Sequence, residues 1–431
     1  MSINYKKSLI NKIARNNCKI CIVGLGYVGL PLAIQFSKKY KVFGFDIDKD
    51  KLNSILKNKS YIKEFSNSQI KELNNKSFFA TNDPSKISDA DVIIFCLPTP
   101  LKKFRPDLSY VNKSVKLFYP FIKKGTAICF ESTSYPGTTD FYFVKKLEKK
   151  FKIGKELFII YSPERVDPGN KKFQINKITK VVSGYSKDCM QIGKLIYSKI
   201  IDKIYMAPNI KTAEMAKILE NIYRAINISL INELKIISKE LNIDIFEVIK
   251  AAKTKPFGFK AFYPGPGIGG HCIPVDPFYL SWLAKKNKLK TEFINLAGKI
   301  NKRMPTYIVN TVLKKFTKNK NLKIIVLGIA YKKNIDDCRN SPSLEIIKLL
   351  KKKNKEVMFA DPHVDKFPKS SEHQYFCKKI LLSKKELSTA DCIILATDHD
   401  KFNYKMIYNH SKIIFDCRGV YKSYSDKVIQ I

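Results

Sequence analysis

The sequence predicts an α/β protein, with two parallel-sheet domains joined by a central long-helix domain. Three observations predict it. Short apolar runs alternate with helix-spaced segments over the first two hundred residues. A stretch beginning at Pro208 then reaches Glu240 without an internal Gly or Pro. A second series of strand-like runs opens at Leu322. At 431 residues the chain exceeds one ordinary core, and the expected domains are 1–205, 206–305 and 306–431.

In the first domain the apolar run Lys19 to Val23 enters Gly24-Leu25-Gly26-Tyr27-Val28-Gly29. Helix-spaced apolar residues follow from Leu30 to Tyr40, then a second strand from Lys41 to Phe45 ending at Asp46. Strand, G-x-G-x-x-G, helix, strand and terminal acid form the Rossmann-like pattern that binds a dinucleotide. Gly24 permits the tight turn, Gly26 leaves room for a pyrophosphate at the helix amino terminus, and Gly29 lets helix and sheet pack closely. Asp46 stands where a carboxylate accepts bonds from the adenosine ribose and repels a 2′-phosphate, so NAD is expected over NADP. Further strands run from Ala90 to Leu97, Thr126 to Phe130 and Leu157 to Tyr161. They lead into Pro98-Thr99-Pro100, Glu131-Ser132-Thr133 and Ser162-Pro163-Glu164-Arg165. Polar residues thus gather after strand ends, the rim at which open parallel sheets bind ligands; Ser132 and Thr99 also read as ordinary loop formers.

On the central helix Met215, Leu219, Ile222, Ile226 and Leu230 fit one apolar stripe. Glu214, Lys217 and Asn221 run beside it, the last two being four residues apart and so on one face; Lys217 also reads as a solvated lysine. Beyond it comes Tyr263-Pro264-Gly265-Pro266-Gly267-Ile268-Gly269-Gly270-His271-Cys272, followed by Pro274, Asp276 and Pro277. The loop is constrained and bares its backbone amides, and the prolines suggest a helix starting near Cys272, whose dipole would favour the thiolate. Two readings of Cys272 stand at this point, a nucleophile or a buried thiol beside a glycine turn. In the last domain Leu322 to Gly328 repeats the strand-glycine theme, and runs at Glu356 to Ala360, Cys392 to Ala396 and Ile413 to Phe415 read as parallel strands. Gly328 is not part of a full G-x-G-x-x-G, so a second dinucleotide is not required. Lys332, Arg339 and Arg418 near the turns suit another nucleotide or a domain contact.

Lys and Arg number 79 against 38 Asp and Glu, a formal charge of +41 that favours anionic partners. The lysines are spread over the whole length rather than gathered on one element, which speaks against nucleic-acid binding. The 10 cysteines show no framework spacing, so neither a metal site nor a disulfide scaffold is expected. The first residues are polar and basic, and no apolar run approaches the ~20 residues of a membrane span. The expectation is a reduced, cytoplasmic protein without membrane insertion.

Taken together these motifs resemble the UDP-glucose/GDP-mannose dehydrogenase family, four-electron oxidoreductases that convert the C6 alcohol of a nucleotide sugar to a uronic acid. The resemblance runs from residue 18 onward through Gly24 to Pro31, Pro98-Thr99-Pro100, Glu131-Ser132-Thr133, Pro136-Gly137-Thr138-Thr139, Ser162 to Arg165, Ala213 to Lys217 with Glu220-Asn221, and Gly269 to Cys272 with Asp276. It implies that Cys272 attacks the C6 aldehyde, that Lys217 and Asn221 steady the oxyanion, and that Asp276 orients or activates water. Glu164 would lie by the sugar and Thr133 by that water. NAD would be held by Gly24, Gly26, Tyr27, Val28, Gly29, Asp46, Pro98, Thr99, Ser132, Thr133 and Arg339. The nucleotide sugar would be held by Glu164, Arg165, Lys217, Tyr263, Gly267, Gly269 and Lys332.

One departure stands out: Pro168, beside Asp167, occupies the place of a second acid in enzymes acting on plain UDP-glucose. With the segment Thr254 to Leu280, this resembles the branch acting on UDP-N-acetylglucosamine, with UDP-N-acetylgalactosamine and then UDP-glucose as alternatives and GDP-mannose last. Two other classes compete: a binding protein with a degenerate Rossmann unit, and a two-lobed dehydrogenase making a single hydride transfer. The family further implies a homodimer or dimer-based oligomer that supplies surface polysaccharide.

Overall fold

A computed structural model describes residues 4–62, 65–76, 78–102, 105–165, 175–317, 321–368, 376–421 and 426–431. Asp167 and Pro168 lie outside the described residues. The chain divides into two compact units, residues 1–220 and 221–431, and the division falls inside the 31-residue helix Ile210–Glu240.

The first unit is built on β1 (Lys19–Val23), β2 (Lys41–Phe45), β3 (Phe79–Thr81), β4 (Val92–Phe95), the small hairpin β5 (Leu101–Lys102) and β6 (Arg105–Pro106), β7 (Ala127–Phe130), β8 (Phe158–Tyr161), β9 (Lys180–Gly184) and β10 (Ile204–Met206). Among the described residues the main sheet has the order β10-β9-β8-β7-β4-β1-β2-β3. Neighbours are parallel except at β8 and β9, which run antiparallel with Tyr161 opposite Ser183. Successive residues of each strand feed opposite layers. Ile20, Ile22, Ile94 and Ile160 enter one core, and Cys21, Val23, Ile93 and Ile159 the other. Helices cover both faces, which is why these strands read as continuous apolar runs.

One spacing was passed over in the sequence. Cys18 and Cys21 stand at C-x-x-C distance, but they belong to the two separate cores. Burial pushes the Cys18 thiol up to about 12 and Cys21 higher still, so both act as small apolar groups.

The second unit holds β11 (Lys323–Leu327), β12 (Glu356–Ala360), β13 (Lys378–Lys379), β14 (Cys392–Leu395), β15 (Ile414–Asp416) and β16 (Val428–Gln430). They form a wholly parallel sheet in the order β13-β12-β11-β14-β15-β16. Helices Asp276–Lys286 and Glu292–Lys315 precede it.

The long helix corrects one expectation. Its buried positions include Ile218, Ile222, Ala225, Ser229 and Asn232, whereas Met215, Leu219 and Leu230 are exposed and Ile226 is half-buried. The five apolar residues do share one stripe, but that stripe is mostly turned outward, and the buried face beside it mixes Ile218, Ile222 and Ala225 with the polar Ser229 and Asn232.

Helix ends are marked by an unusual residue. Asn16, Asn58, Asn242 and Asn354 each stand two positions past a helix with φ between 53° and 57°. The residue after each donates its N–H to the carbonyl five back, as from Asn17 to Lys12 at 2.9 Å and Ile243 to Ser238 at 2.8 Å. This is the Schellman closure, with asparagine where glycine is commonest.

Candidate active site

The glycine turn after β1 meets the demands set for it. Gly24 has φ +92°, and a Cβ there would fall 2.4 Å from the Cys96 carbonyl. At Gly29 a Cβ would meet the Gly24 carbonyl at 1.8 Å, so only glycine lets the helix Gly29–Phe36 start so close to the strand. Gly26 has nothing within 4 Å of that direction, the open cradle that a pyrophosphate needs. Tyr27 is exposed and Val28 half-buried on the same turn. Asp46, at the end of β2, accepts from Leu25 N at 2.8 Å and Asp48 N at 3.0 Å. It also accepts from Lys51 Nζ at 3.1 Å, a cation that the sequence reading did not single out. The donors and space fit a dinucleotide.

Loops after β4 and β7 are tied together. Ser132 Oγ accepts from Leu97 N at 2.8 Å, and Thr99 Oγ1 donates to the Thr133 carbonyl at 2.9 Å. The two hydroxyls fix the rim that carries Pro98 and Thr133. Glu164 follows β8, and Arg165 ion-pairs with Glu220 at 2.7 Å while donating to the Thr179 carbonyl. Lys217 is nearly buried at 9% exposure, which removes its reading as a solvated lysine. Glu214, one turn earlier on the same helix, is fully buried. It accepts from Gly137 N (2.6 Å), Thr139 N (2.9 Å) and Thr139 Oγ1 (2.8 Å), anchoring the helix to the Pro136–Thr139 segment. The acid of the Ala213–Lys217 motif thus has a structural task.

In the second unit the glycine loop is held from beneath by buried amides. Gly265 N donates to Asn232 Oδ1 at 2.9 Å, Asn232 Nδ2 to Asn301 Oδ1 at 2.9 Å, and Asn301 Nδ2 to Ser229 Oγ. Gly269 packs against Tyr331 and the Asn340 carbonyl with no room for a Cβ, and Gly267 and Gly270 have φ of +131° and +89°. Gly270 N donates to the Arg339 carbonyl and Asn340 Nδ2 to the Gly270 carbonyl, at 2.8 and 2.9 Å. At the end of this loop Cys272 is exposed, whereas Cys21, Cys129, Cys189, Cys377, Cys392 and Cys417 are buried. The reading of Cys272 as a buried thiol is thereby corrected. Its carbonyl accepts from Val275 N and Asp276 N at the foot of the helix Asp276–Lys286. Asp276 is 2% exposed and accepts from Asn221 Nδ2 at 2.6 Å. Tyr263 is exposed and Lys332 half-buried, while the Arg339 guanidinium pairs with Asp337 at 2.6 Å.

The second sheet repeats the first up to its acid and then diverges. Asp361 follows β12 as Asp46 follows β2. Its oxygens are taken by Ile329 N, Ala330 N, His363 N, Val364 N and His399 Nε2. Buried and with so many internal donors, Asp361 is committed to holding the turn after β11 and the loop after β12.

Each unit thus assembles its own share of the expected residues. The first holds the glycine turn, Asp46, Pro98, Thr99, Ser132, Thr133, Glu164, Arg165 and Lys217. The second holds Asn221, Tyr263, Gly267, Gly269, Cys272, Asp276, Lys332 and Arg339. Missed by the sequence were Lys51, the Asn232–Asn301 support and Lys180. The last is a buried lysine in a chain full of exposed ones, and its only signal was its place before the apolar Val181-Val182. Among the described residues no group of His, Cys, Asp and Glu is arranged to hold a metal, and no helix is long and apolar enough to cross a membrane.

A glycine turn of this form, in one of two sheet units, defines the class: a dinucleotide-binding protein of the Rossmann kind. Three family descriptions match in series: the UDP-glucose/GDP-mannose dehydrogenase NAD binding domain over residues 18–201, the central domain over 211–303, and the UDP binding domain over 325–423. Protein CapL of Staphylococcus aureus is 37% identical over 94% of this chain and 97% of its own length. A UDP-N-acetyl-D-glucosamine 6-dehydrogenase of Pseudomonas aeruginosa is 35% identical over 89% and 91%. The structure of a UDP-N-acetylmannosamine dehydrogenase from Pyrococcus horikoshii superimposes with a TM-score of 0.84 at 30% identity, covering 95% of this chain and 98% of that one. The chain belongs to the UDP-glucose/GDP-mannose dehydrogenase family. It is an NAD-dependent nucleotide-sugar dehydrogenase. The mannosamine epimer is a sugar that the sequence reading had not weighed.

Proposed function

We propose that the chain oxidises UDP-N-acetylglucosamine at C6 to UDP-N-acetylglucosaminuronic acid, with Cys272 as covalent catalyst. The observation that carries the chemistry is the exposed thiol on a braced glycine loop, directly ahead of a helix whose first acid is held by Asn221. Bound NAD supplies the hydride acceptor for each of the two oxidations. Glu164 accepts a hydrogen bond from the reacting end of the sugar. The Cys272 thiolate adds to the aldehyde carbon, and Lys217 and Asn221 stabilise the charge that develops on its oxygen. Once the thiohemiacetal is oxidised to a thioester, Asp276 orients water for hydrolysis, with Thr133 beside that water. Overall the alcohol and one water give up two hydride equivalents and three protons.

The sugar assignment is supported by the Thr254–Leu280 resemblance and by the relative named as a UDP-N-acetyl-D-glucosamine 6-dehydrogenase. The neighbour named as a UDP-N-acetylmannosamine dehydrogenase favours a second reading, the C2 epimer. Incubation with NAD and UDP-N-acetylglucosamine, its manno and galacto epimers, and UDP-glucose decides between them. Two NADH per uronate are expected, with the gluco sugar giving the highest kcat/KM; a ~10-fold preference for another sugar would move the assignment and leave the thiol chemistry intact. Release of aldehyde with one NADH would instead support the single-hydride reading. A cytoplasmic homodimer fits the same proposal. Tyr223, Leu230, Leu234 and Ile237 expose apolar surface on the long helix, and a second copy is the natural cover.

A further inference from the structure

A charged cluster stands behind Glu164 that none of these roles uses. Glu131, just past β7, is buried. Its Oε1 accepts from the Tyr197 hydroxyl at 2.6 Å and its Oε2 from Lys180 Nζ at 2.8 Å. The same ammonium donates to Glu164 Oε2 at 3.0 Å and lies 5.1 Å from the centre of the Tyr197 ring. The side chains of Glu131, Lys180 and Glu164 are 0%, 5% and 17% exposed. The cluster is therefore graded, closed at Glu131 and opening toward Glu164. Glu164 and Lys180 also line a small cleft with Arg165 and Thr179, so the pair borders surface rather than closed core.

The reversal of one strand makes this possible. Because β9 runs antiparallel to β8 with Ser183 opposite Tyr161, Lys180 begins β9 beyond the carboxyl end of β8. Glu131 and Glu164 emerge on that same rim from β7 and β8. A parallel strand would have started at the opposite edge of the sheet, far from both acids. Burial pulls the ammonium toward neutrality, but Glu131 and Glu164 outweigh it and hold Lys180 above its usual range. Burial pushes Glu131 up to about 7 in spite of Lys180. A buried ionic cluster is a poor way to gain stability, since apolar packing of equal volume does as well or better. Its value lies in fixing where a charge stands.

We propose that Lys180 is a positioning residue for Glu164: held from behind by Glu131 and Tyr197, it sets the place and charge of the Glu164 carboxylate at the reacting sugar. This rests on the reading that Glu164 touches the sugar, and the test separates the two. Steady-state kinetics of the full chain are measured for Lys180→Met, Lys180→Arg, Glu164→Gln and the Lys180→Met/Glu164→Gln double variant, with NAD and whichever UDP-sugar of the panel turns over. Lys180→Met is expected to lower kcat by at least ~10-fold with KM for NAD within ~2-fold, and Lys180→Arg to restore most of the loss. In the double variant the loss should match that of Glu164→Gln alone within ~2-fold, because Lys180 acts only through Glu164. Losses that multiply, or a Lys180→Met enzyme of normal kcat, would overturn the proposal while Glu164 kept its role. A fully active Glu164→Gln enzyme would remove the reading of Glu164 and the inference with it. Should Lys180→Met fail to fold, Lys180→Gln takes its place in the cycle, keeping an amide donor without the charge. If neither Lys180→Gln nor Lys180→Arg folds, the lysine is structural and the proposal fails.

Discussion

Replacing Asn221 by leucine would remove the amide that holds Asp276 while keeping the same branched outline, if a bulkier one. The bond is 2.6 Å long and its partners are 7% and 2% exposed, so water is poorly placed to substitute. A hydrogen bond to a charged acceptor is worth about 1.5–3 kcal/mol. At about 1.4 kcal/mol per decade, that is ~10–100-fold in whichever step depends on Asp276. If Asp276 orients the water that cleaves the thioester, hydrolysis is the step that slows. Rapid-quench experiments should then show a burst of two NADH per site that is itself slower, because Asn221 also faces the oxyanion, yet still outruns a steady phase slowed ~10–100-fold, with an acylated Cys272 in the intact mass. Slowed turnover without any accumulated acyl-enzyme would refute this reasoning and leave Asn221 with its oxyanion role alone. An Asn221→Asp variant sharpens the point: two carboxylates at 2.6 Å repel by about 6 kcal/mol at an effective dielectric near 20, so the pair should retain one proton near neutrality, and the remaining activity should fall as pH rises and removes that donor.

Glu214→Ala leaves two backbone N–H groups and a hydroxyl without their acceptor, and at ~1–3 kcal/mol each a loss of about 3–9 kcal/mol is expected in urea titrations followed by circular dichroism. Burial, against its three donors, pushes the Glu214 carboxyl up to about 7 from 4.5. The proton-linked stability it contributes is thus complete below the unfolded value and lost as pH rises through about 7. Glu214→Gln, which mimics the protonated form, should flatten the fall in Tm across that window; an unchanged slope would exclude the linkage. At the cofactor turn, Asp46→Asn frees Lys51 from its ion pair, and the kcat/KM preference for NAD over NADP should narrow by at least ~10-fold. An unchanged ratio would show that neither charge reads the 2′ position.

Much of the architecture was open to view in the sequence because it rests on local pattern. β1, β2 and β12 fall within the bounds the apolar runs marked, and Gly24 and Gly29 do what a glycine before a helix must do. Strand direction is another matter. An apolar run reads the same in either sense, so the turn-back of β9, and with it the placement of Lys180 beside Glu131 and Glu164, left no trace. The outer and inner faces of the long helix were confused for a related reason. Its buried face carries Ser229 and Asn232 where a core stripe is expected to be apolar. Around Cys272 the glycines were plain, but the amides of Asn232 and Asn301 that brace them come from distant helices and look like ordinary surface residues until the chain is folded.

The asparagines that end the helices give the protein a chemical lifetime. Hydrolysis of an Asn side chain to a carboxylate is a slow, uncatalysed reaction of ageing proteins, and glycine at the same position is immune to it. At Asn16, Asn58, Asn242 and Asn354 the new charge would appear at the negative end of a helix dipole, each time costing about 0.3–1 kcal/mol. Asn340, also left-handed at φ 51°, is the sensitive one. Its amide donates to the Gly270 carbonyl two residues before Cys272, and a carboxylate there would face that oxygen with no proton to offer. Old enzyme should therefore lose the shape of its thiol loop before it loses its fold.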